Sequence, residues 1–318
     1  MHDPTDDDSE APDRPTSGTG TDRHLAEAER CFERAKAHPE AVRQERERII
    51  ELLSAQQTAG REEFQQRVAA SGALARVARE NPASLEEFLP VLVDELRRVT
   101  DAGGSHDVSE NLEPVRTVRA NLVETVSRIV IDNPVPEIGE DPFTEFVGCV
   151  ATDLDDAVLR VATRAMFATA DDRPRELAFA AELLEELLTF PDVAVQAWAA
   201  GTVGRVAASH PDAVASVVVD LRRLLAHEDS TVQHNALEAL AAFVGTRPDV
   251  VAPAGDTLRP LLEHDEVAIQ HNAAGVLYVL ADHQPRAVIQ SVEELRDLRD
   301  HDDDAVRRIA TATLARLA

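Results

Sequence analysis

Two histidine–asparagine pairs, His234-Asn235 and His271-Asn272, stand 37 residues apart. Three histidine–acid pairs, His227-Glu228, His264-Asp265 and His301-Asp302, keep the same step. Imidazoles at a fixed interval are the raw material of a metal site. A metal held by histidine also draws on anionic donors that neutralise and bridge it. Asn235 and Asn272 supply none, and the matching positions elsewhere hold Ala120, Arg160, Ala197 and Arg308 rather than histidine. The sequence therefore predicts no metal centre and no cofactor. The second series is expected in turns. There a histidine at a helix C-terminus complements the dipole and the following acid serves the next N-terminus. Cys31 and Cys149 are two lone thiols with no disulfide or zinc spacing. No Gly-rich phosphate loop and no nucleophile elbow occurs.

The residues that could bind are mostly arginines. Helical projection places Arg160, Arg164, Arg205, His234, His271, Tyr278 and Arg308 away from the apolar stripes. The chain carries 59 acidic and 32 basic residues, a net charge of −27. Against that background the segments 64–79, 115–130, 157–170, 193–210, 231–247, 267–281 and 305–318 are together net positive, or neutral one by one. Two readings stay open. The segments could line a groove for an acidic protein segment, or the arginines could pair with carboxylates of neighbouring units. Arg119 and Arg307 belong to the second reading. Total charge and an aromatic content of 3% argue against a nucleic-acid surface. Trp198 is the only tryptophan, either a filler between units or a binding anchor.

The elements that must position these groups repeat. Val158, Val195, Val232, Ile269 and Val306 form one series with a step of 37 residues, and Pro174, Pro211, Pro248 and Pro285 run in parallel. Self-similarity at this period means stacked units that cannot bury their apolar faces alone. Residues 231–265 show the unit. Val232, Ala236, Leu240 and Phe243 share one helical face. Pro248 ends that helix, because a residue before proline is pushed out of the helical region. A second helix is expected from Val250 or Pro253 to Glu263, with Leu258, Leu261 and Leu262 inward. Asn121, Asn235 and Asn272 share one position and are expected to hydrogen-bond an inter-repeat turn. Gly72, Gly201 and Gly275 are expected to permit close helix approach.

Residues 1–22 are too polar to fold and are expected to be disordered. Residues 23–58 read as a divergent helix pair, and 59–318 as the repeat array, with a clear register from about 157. Loops are expected at 100–113 and 131–142, which are rich in turn residues and acids. No apolar run is long enough to span a bilayer, and the N-terminus lacks the apolar core of a signal peptide. A cytoplasmic protein is expected.

The segments VQHNALEALAAFV and IQHNAAGVLYVLA resemble the Val-(Arg/Gln)-x-x-Ala-x-x-x-Leu helix of the HEAT and armadillo superfamily. The resemblance implies an all-α fold, a right-handed α-α superhelix of about seven HEAT-like two-helix repeats, with the motif helices on the concave side. It implies a non-enzymatic scaffold for a protein partner, with nucleic acid binding, as in the alkylpurine DNA glycosylases, as the alternative. A degenerate HEAT-type enzyme, lyase or hydroxylase-like, is the remote alternative. Armadillo repeats that bind peptides carry asparagine where Ala242 and Val279 stand here, so an import-type groove is not expected. Deoxyhypusine hydroxylase, a di-iron HEAT enzyme, has His-Glu where this chain has His234-Asn235 and His271-Asn272. The C-terminal helix could dock on a partner or self-associate through Ile309, Leu314 and Leu317. An acidic chain with Lys36 as its only lysine resembles proteins of halophilic archaea, whose carboxylates hold water in molar salt; a GC-rich genome gives the same lysine scarcity.

Overall fold

The computed structural model describes residues 20–54, 61–103, 112–133, 140–150 and 156–318. Eight helices form a continuous front layer: α1 (Gly20–Ala37), α2 (Arg61–Glu80), α3 (Leu112–Asp132), α4 (Asp156–Thr169), α5 (Val193–Ala207), α6 (Ser230–Val244), α7 (Val267–His283) and α8 (Asp304–Leu317). Each packs on the next. Segments 39–54, 82–103, 140–150, 174–189, 215–224, 248–263 and 285–300 form a back layer. The result is an α-solenoid of seven helix pairs closed by α8, and no strand occurs among the described residues. The expected disordered tail, 1–22, lies almost wholly outside the described residues.

The front helices form because one stripe of each is apolar and the stack on either side covers it. Val158, Val195, Val232, Ile269 and Val306 are all buried, as are Ala236, Leu240 and Phe243 in α6. Their starts are set by aspartate. Asp192 Oδ1 accepts from Val195 N at 3.0 Å, and Asp229 Oδ1 accepts from Thr231 N at 2.9 Å and Val232 N at 3.2 Å. Asp303 Oδ1 likewise accepts from Ala305 N at 2.8 Å and Val306 N at 3.1 Å. Each carboxylate satisfies amides that a helix start leaves without partners.

The back layer departs from the sequence reading. No single helix fills 250–263. Pro248–Val251 and Gly255–Leu258 are α-helical, while Ala252–Ala254 and Arg259–Glu263 are 3-10 turns. Pro253 and Pro260 begin those turns, since each removes an amide and so breaks the i to i−4 ladder. The expected loops are also shorter at their ends: helix runs on to Gly103 and Asp132 and resumes at Leu112 and Glu140. Segments 104–111 and 134–139 lie outside the described residues.

Two glycines are required where front helices approach aromatic rings. A Cβ on Gly201 would sit 2.5 Å from Phe167, and one on Gly72 would sit 2.7 Å from Phe32. Gly275 is different: a Cβ there would make ordinary contact with Ile309 at 3.6 Å, so close approach is not its role.

Candidate functional site

Three sets of polar side chains stitch the front layer, and they use up many of the candidate residues. The first follows the valine series. Gln233 Nε2 donates to Leu225 O at 3.1 Å and Gln196 Nε2 to Leu188 O at 3.4 Å. At the same position Arg307 donates to the carbonyls of His301 and Asp302, at 2.5 and 2.8 Å. Each bond ties a front helix to carbonyls at the end of the preceding back segment.

The second set is the asparagines. Asn235 Nδ2 donates to Ala197 O at 2.8 Å, Asn272 Nδ2 meets His234 Nδ1 at 3.4 Å, and Asn121 Nδ2 donates to Ser71 Oγ at 3.1 Å. The partner in each case lies on the preceding front helix, not in an inter-repeat turn as the sequence suggested. The side chain points sideways across the layer, and the turn is out of its reach. The third set is the turn histidines. His227, His264 and His301 each accept at Nδ1 from the amide two residues on, all at 2.9 Å. Their role is to close the turn by accepting at Nδ1.

The predicted binding residues do not form one patch. Arg160 spans to the next unit, its Nε and Nη2 lying 2.8 and 2.7 Å from Asp192 Oδ2. The Arg160 guanidinium holds the Asp192 carboxyl below the usual aspartate value, and the Val195 and Ala194 amides help. Arg205 stacks 3.8 Å over the Phe167 ring, donates to Phe167 O at 2.7 Å and lies 3.4 Å from Asp171. Tyr278 lies under Arg316, 3.5 Å from its ring centre, and Arg316 reaches Asp282 at 2.7 Å. These two clamps occupy the same repeat position. Where the arginine is missing, at Ala242 and Val279, the aromatic and the acid are missing too. His234 lies 3.1 Å from Glu238. Arg308 is exposed and bonds only the Asp304 carbonyl, at 3.3 Å. His271 is half-buried on α7.

Arg160 and Arg164 do come together, in a cleft of about 480 Å³ at the junction of α2, α3, α4 and α5. Arg79 and Arg128 join them on its wall, with Trp198 and the apolar side chains of Pro82, Ile131 and Val161. Arg79 binds Glu124 through two hydrogen bonds, 2.7 and 2.6 Å, and Arg128 binds the same carboxylate at 2.9 Å. Burial pushes the Glu124 carboxyl up, but the two guanidiniums outweigh it and hold it below the usual glutamate value. Asp132, exposed on the same wall, offsets the surplus charge of these two guanidiniums around one carboxylate, so the cleft's net positive charge rests on Arg164. Arg164 is exposed and has no ion-pair or hydrogen-bond partner among the described residues. Trp198 is half-buried, and its indole N–H has no partner there either. Sequence reasoning left out Arg79 and Arg128 because they lie in units where insertions blur the register.

Among the described residues no three His, Cys, Asp or Glu side chains converge as metal ligands, and no helix is long and apolar enough to cross a membrane. The arrangement offers recognition of an anion beside an apolar group.

No protein-family model matches the chain, and no curated protein matches it. Among solved structures it is similar to a designed armadillo repeat protein in complex with the peptide (KR)4. The identity is 18%, the TM-score 0.52, and the match covers 70% of this chain and 100% of that one. It is also similar to computationally designed armadillo repeat proteins for modular peptide recognition, at 18% identity and a TM-score of 0.53, covering 74% and 99%. Likeness at this level speaks to the fold, and the fold is an armadillo/HEAT-like α-solenoid.

Proposed function

We propose that this chain is a non-enzymatic scaffold that holds a protein partner on its front layer, at the cleft between α2 and α5. The observation that carries the reading is Arg164. Three of the cleft's four arginines are bound to carboxylates of the chain itself, and Arg164 stands exposed with no such partner among the described residues. Other exposed arginines also lack partners among the described residues, Arg175 for one. What sets Arg164 apart is its place on the wall of a cleft beside Trp198, where an acidic ligand can reach it. The fold suits this role, since stacked units present an extended face for many weak contacts. The designed neighbours are named for peptide recognition, which fits the same use of the architecture.

The test is affinity capture of the tagged protein from the lysate of its source cells, at high KCl, with mass spectrometry of what is retained. Arg164→Glu is the informative variant, because it breaks no ion pair or hydrogen bond among the described residues. Arg160→Glu also takes a partner from the Asp192 helix cap. A stoichiometric protein partner lost with Arg164→Glu, at unchanged helicity, is expected. Capture that survives the reversal would overturn the assignment of the site.

A further inference from the structure

Resting on that reading of the cleft, we infer that it recognises a short acidic segment carrying an aromatic side chain next to its carboxylates. Two parts of the cleft make different demands. The charged part is Arg164, on a wall where Glu124 and Asp132 balance Arg79 and Arg128 and Asp192 balances Arg160. Guanidiniums of this kind bind carboxylates through paired N–H donors. The apolar part is the half-exposed Trp198 indole beside Pro82, Ile131 and Val161. A flat ring packs against an indole by offset or edge contact and gains beyond the area it buries. The indole N–H, without a partner among the described residues, adds a donor that a carboxylate or backbone carbonyl can meet.

The balance between the two parts excludes simpler ligands. A purely acidic chain would leave the indole and its apolar neighbours wet. A purely apolar segment would leave Arg164 desolvated and unpaired. A basic segment would face surplus charge of its own sign. The site also lies where the regular register begins, at the step from α3 to α4. Side chains from four successive front helices converge there, whereas the later stitches each join neighbouring elements. A cleft of about 480 Å³ accommodates one aromatic side chain and its neighbours, not a folded domain.

Trp198 is the only tryptophan, so its emission reports on this site alone. The experiment titrates the full chain with three probes at high KCl: the acetylated pentapeptide Glu-Asp-Phe-Asp-Glu, its counterpart with Ser for Phe, and an oligothymidylate. The aromatic acidic peptide is expected to shift Trp198 emission saturably and to bind at least about tenfold more tightly than the serine peptide. Arg164→Glu is expected to weaken it by about tenfold or more. Arg175→Glu, which reverses an exposed arginine outside the cleft, is expected to change nothing. Equal binding of the serine peptide, tighter binding of the oligothymidylate, or no saturable response would each overturn the inference. If the peptides fail while Arg164→Glu still abolishes partner capture, the scaffold reading stands and only the ligand class falls.

Discussion

The two ends of the solenoid are held by different chemistry. Four charged residues are buried among the described ones, and three of them, Glu95, Arg119 and Glu124, lie before α4; only Asp220 lies after it. The early units are tied by carboxylates set between arginines: Glu95 with Arg67 at 2.8 Å and with Arg98, and Glu124 with Arg79 and Arg128. The later units are tied to one another by neutral groups, Gln196, Gln233, Asn235 and Asn272, and most of their ion pairs are exposed, Asp220 with Arg223 and Arg173 with Glu176 being the more buried ones. The difference follows from the register. Where the step is a constant 37 residues, Gln196 and Gln233 meet the equivalent carbonyls of Leu188 and Leu225, and a neutral donor suffices there. Where insertions shift the neighbours, neutral bonds persist, from Gln66 to the Leu52 carbonyl and from Asn121 to Ser71, and buried carboxylates between arginines are added to them. The candidate cleft opens at the boundary between the two regimes.

The apolar core is common to both regions, and the largest expected effect tests that. Leu122 in α3 and Leu240 in α6 are both fully buried. Truncating either to alanine is expected to cost about 3 kcal/mol through lost transfer energy and the cavity left behind. Because stacked repeats need not unfold in one step, hydrogen exchange of α3 and α6 is the suitable measurement alongside chemical denaturation. A much larger loss at one site than at the other would mean that the regions differ in packing, and the contrast in polar ties would lose its force.

Glu124 gives the next largest effect. Glu124→Ala leaves two guanidiniums facing each other, and breaking a buried pair costs several kcal/mol. The arginine side chains are 43% and 32% exposed, so water offsets part of that, and about 2 kcal/mol is expected. The pH dependence has a definite sign. The folded Glu124 value is lowered from the ordinary 4.5. Its contribution is therefore fully present above that value and is lost as pH falls through the lower, folded one. Glu124→Gln is expected to be less stable at neutral pH and to lose less on acidification than the parent chain. Parallel acid limbs in the two proteins would show that Glu124 is not the group responsible.

Much of this fold was legible because the physics that stacks the units also writes the period. A valine that must be buried in every unit recurs in every unit. So does a proline that ends the front helix, and the aspartates that cap most of the later helices recur too. The broken back-layer helices were less legible. In 248–263 the breaks fall at Pro253 and Pro260, which have no echo in other units, and 215–224 and 285–300 are broken by 3-10 turns that carry no internal proline. For the site, helical projection told which side of a helix Arg160 and Arg205 occupy but not what stands opposite. That information was present in another form. The joint loss of arginine, aromatic and acid at the positions around Ala242 and Val279 is a covariation within a single chain, and it marks the Arg205 and Arg316 clamps as internal contacts. Arg79 had no such signal, since its partner Glu124 lies across an irregular step of 45 residues, whereas the i,i+4 spacing of Glu124 and Arg128 was there to be read.

The smallest expected effect sharpens the contrast most. Asn235 donates to the carbonyl of Ala197, a residue inside α5 whose carbonyl also serves the helix. Removing the amide therefore orphans no acceptor, and the loss is that of one ordinary hydrogen bond, about 1 kcal/mol. Alanine is also the better helix former, by about 0.5 kcal/mol, which offsets roughly half of it. Asn235→Ala should change stability by about 0.5 kcal/mol, with no dependence on salt, because no charge is involved. Glu124→Ala should show the opposite behaviour, with a cost that changes between low and high KCl as the exposed parts of its arginines are screened. Denaturation of both variants at two salt concentrations separates the cases. If Asn235→Ala costs as much as Glu124→Ala, the neutral bonds carry stability and not merely register, and the later units would be held by the asparagine ladder itself.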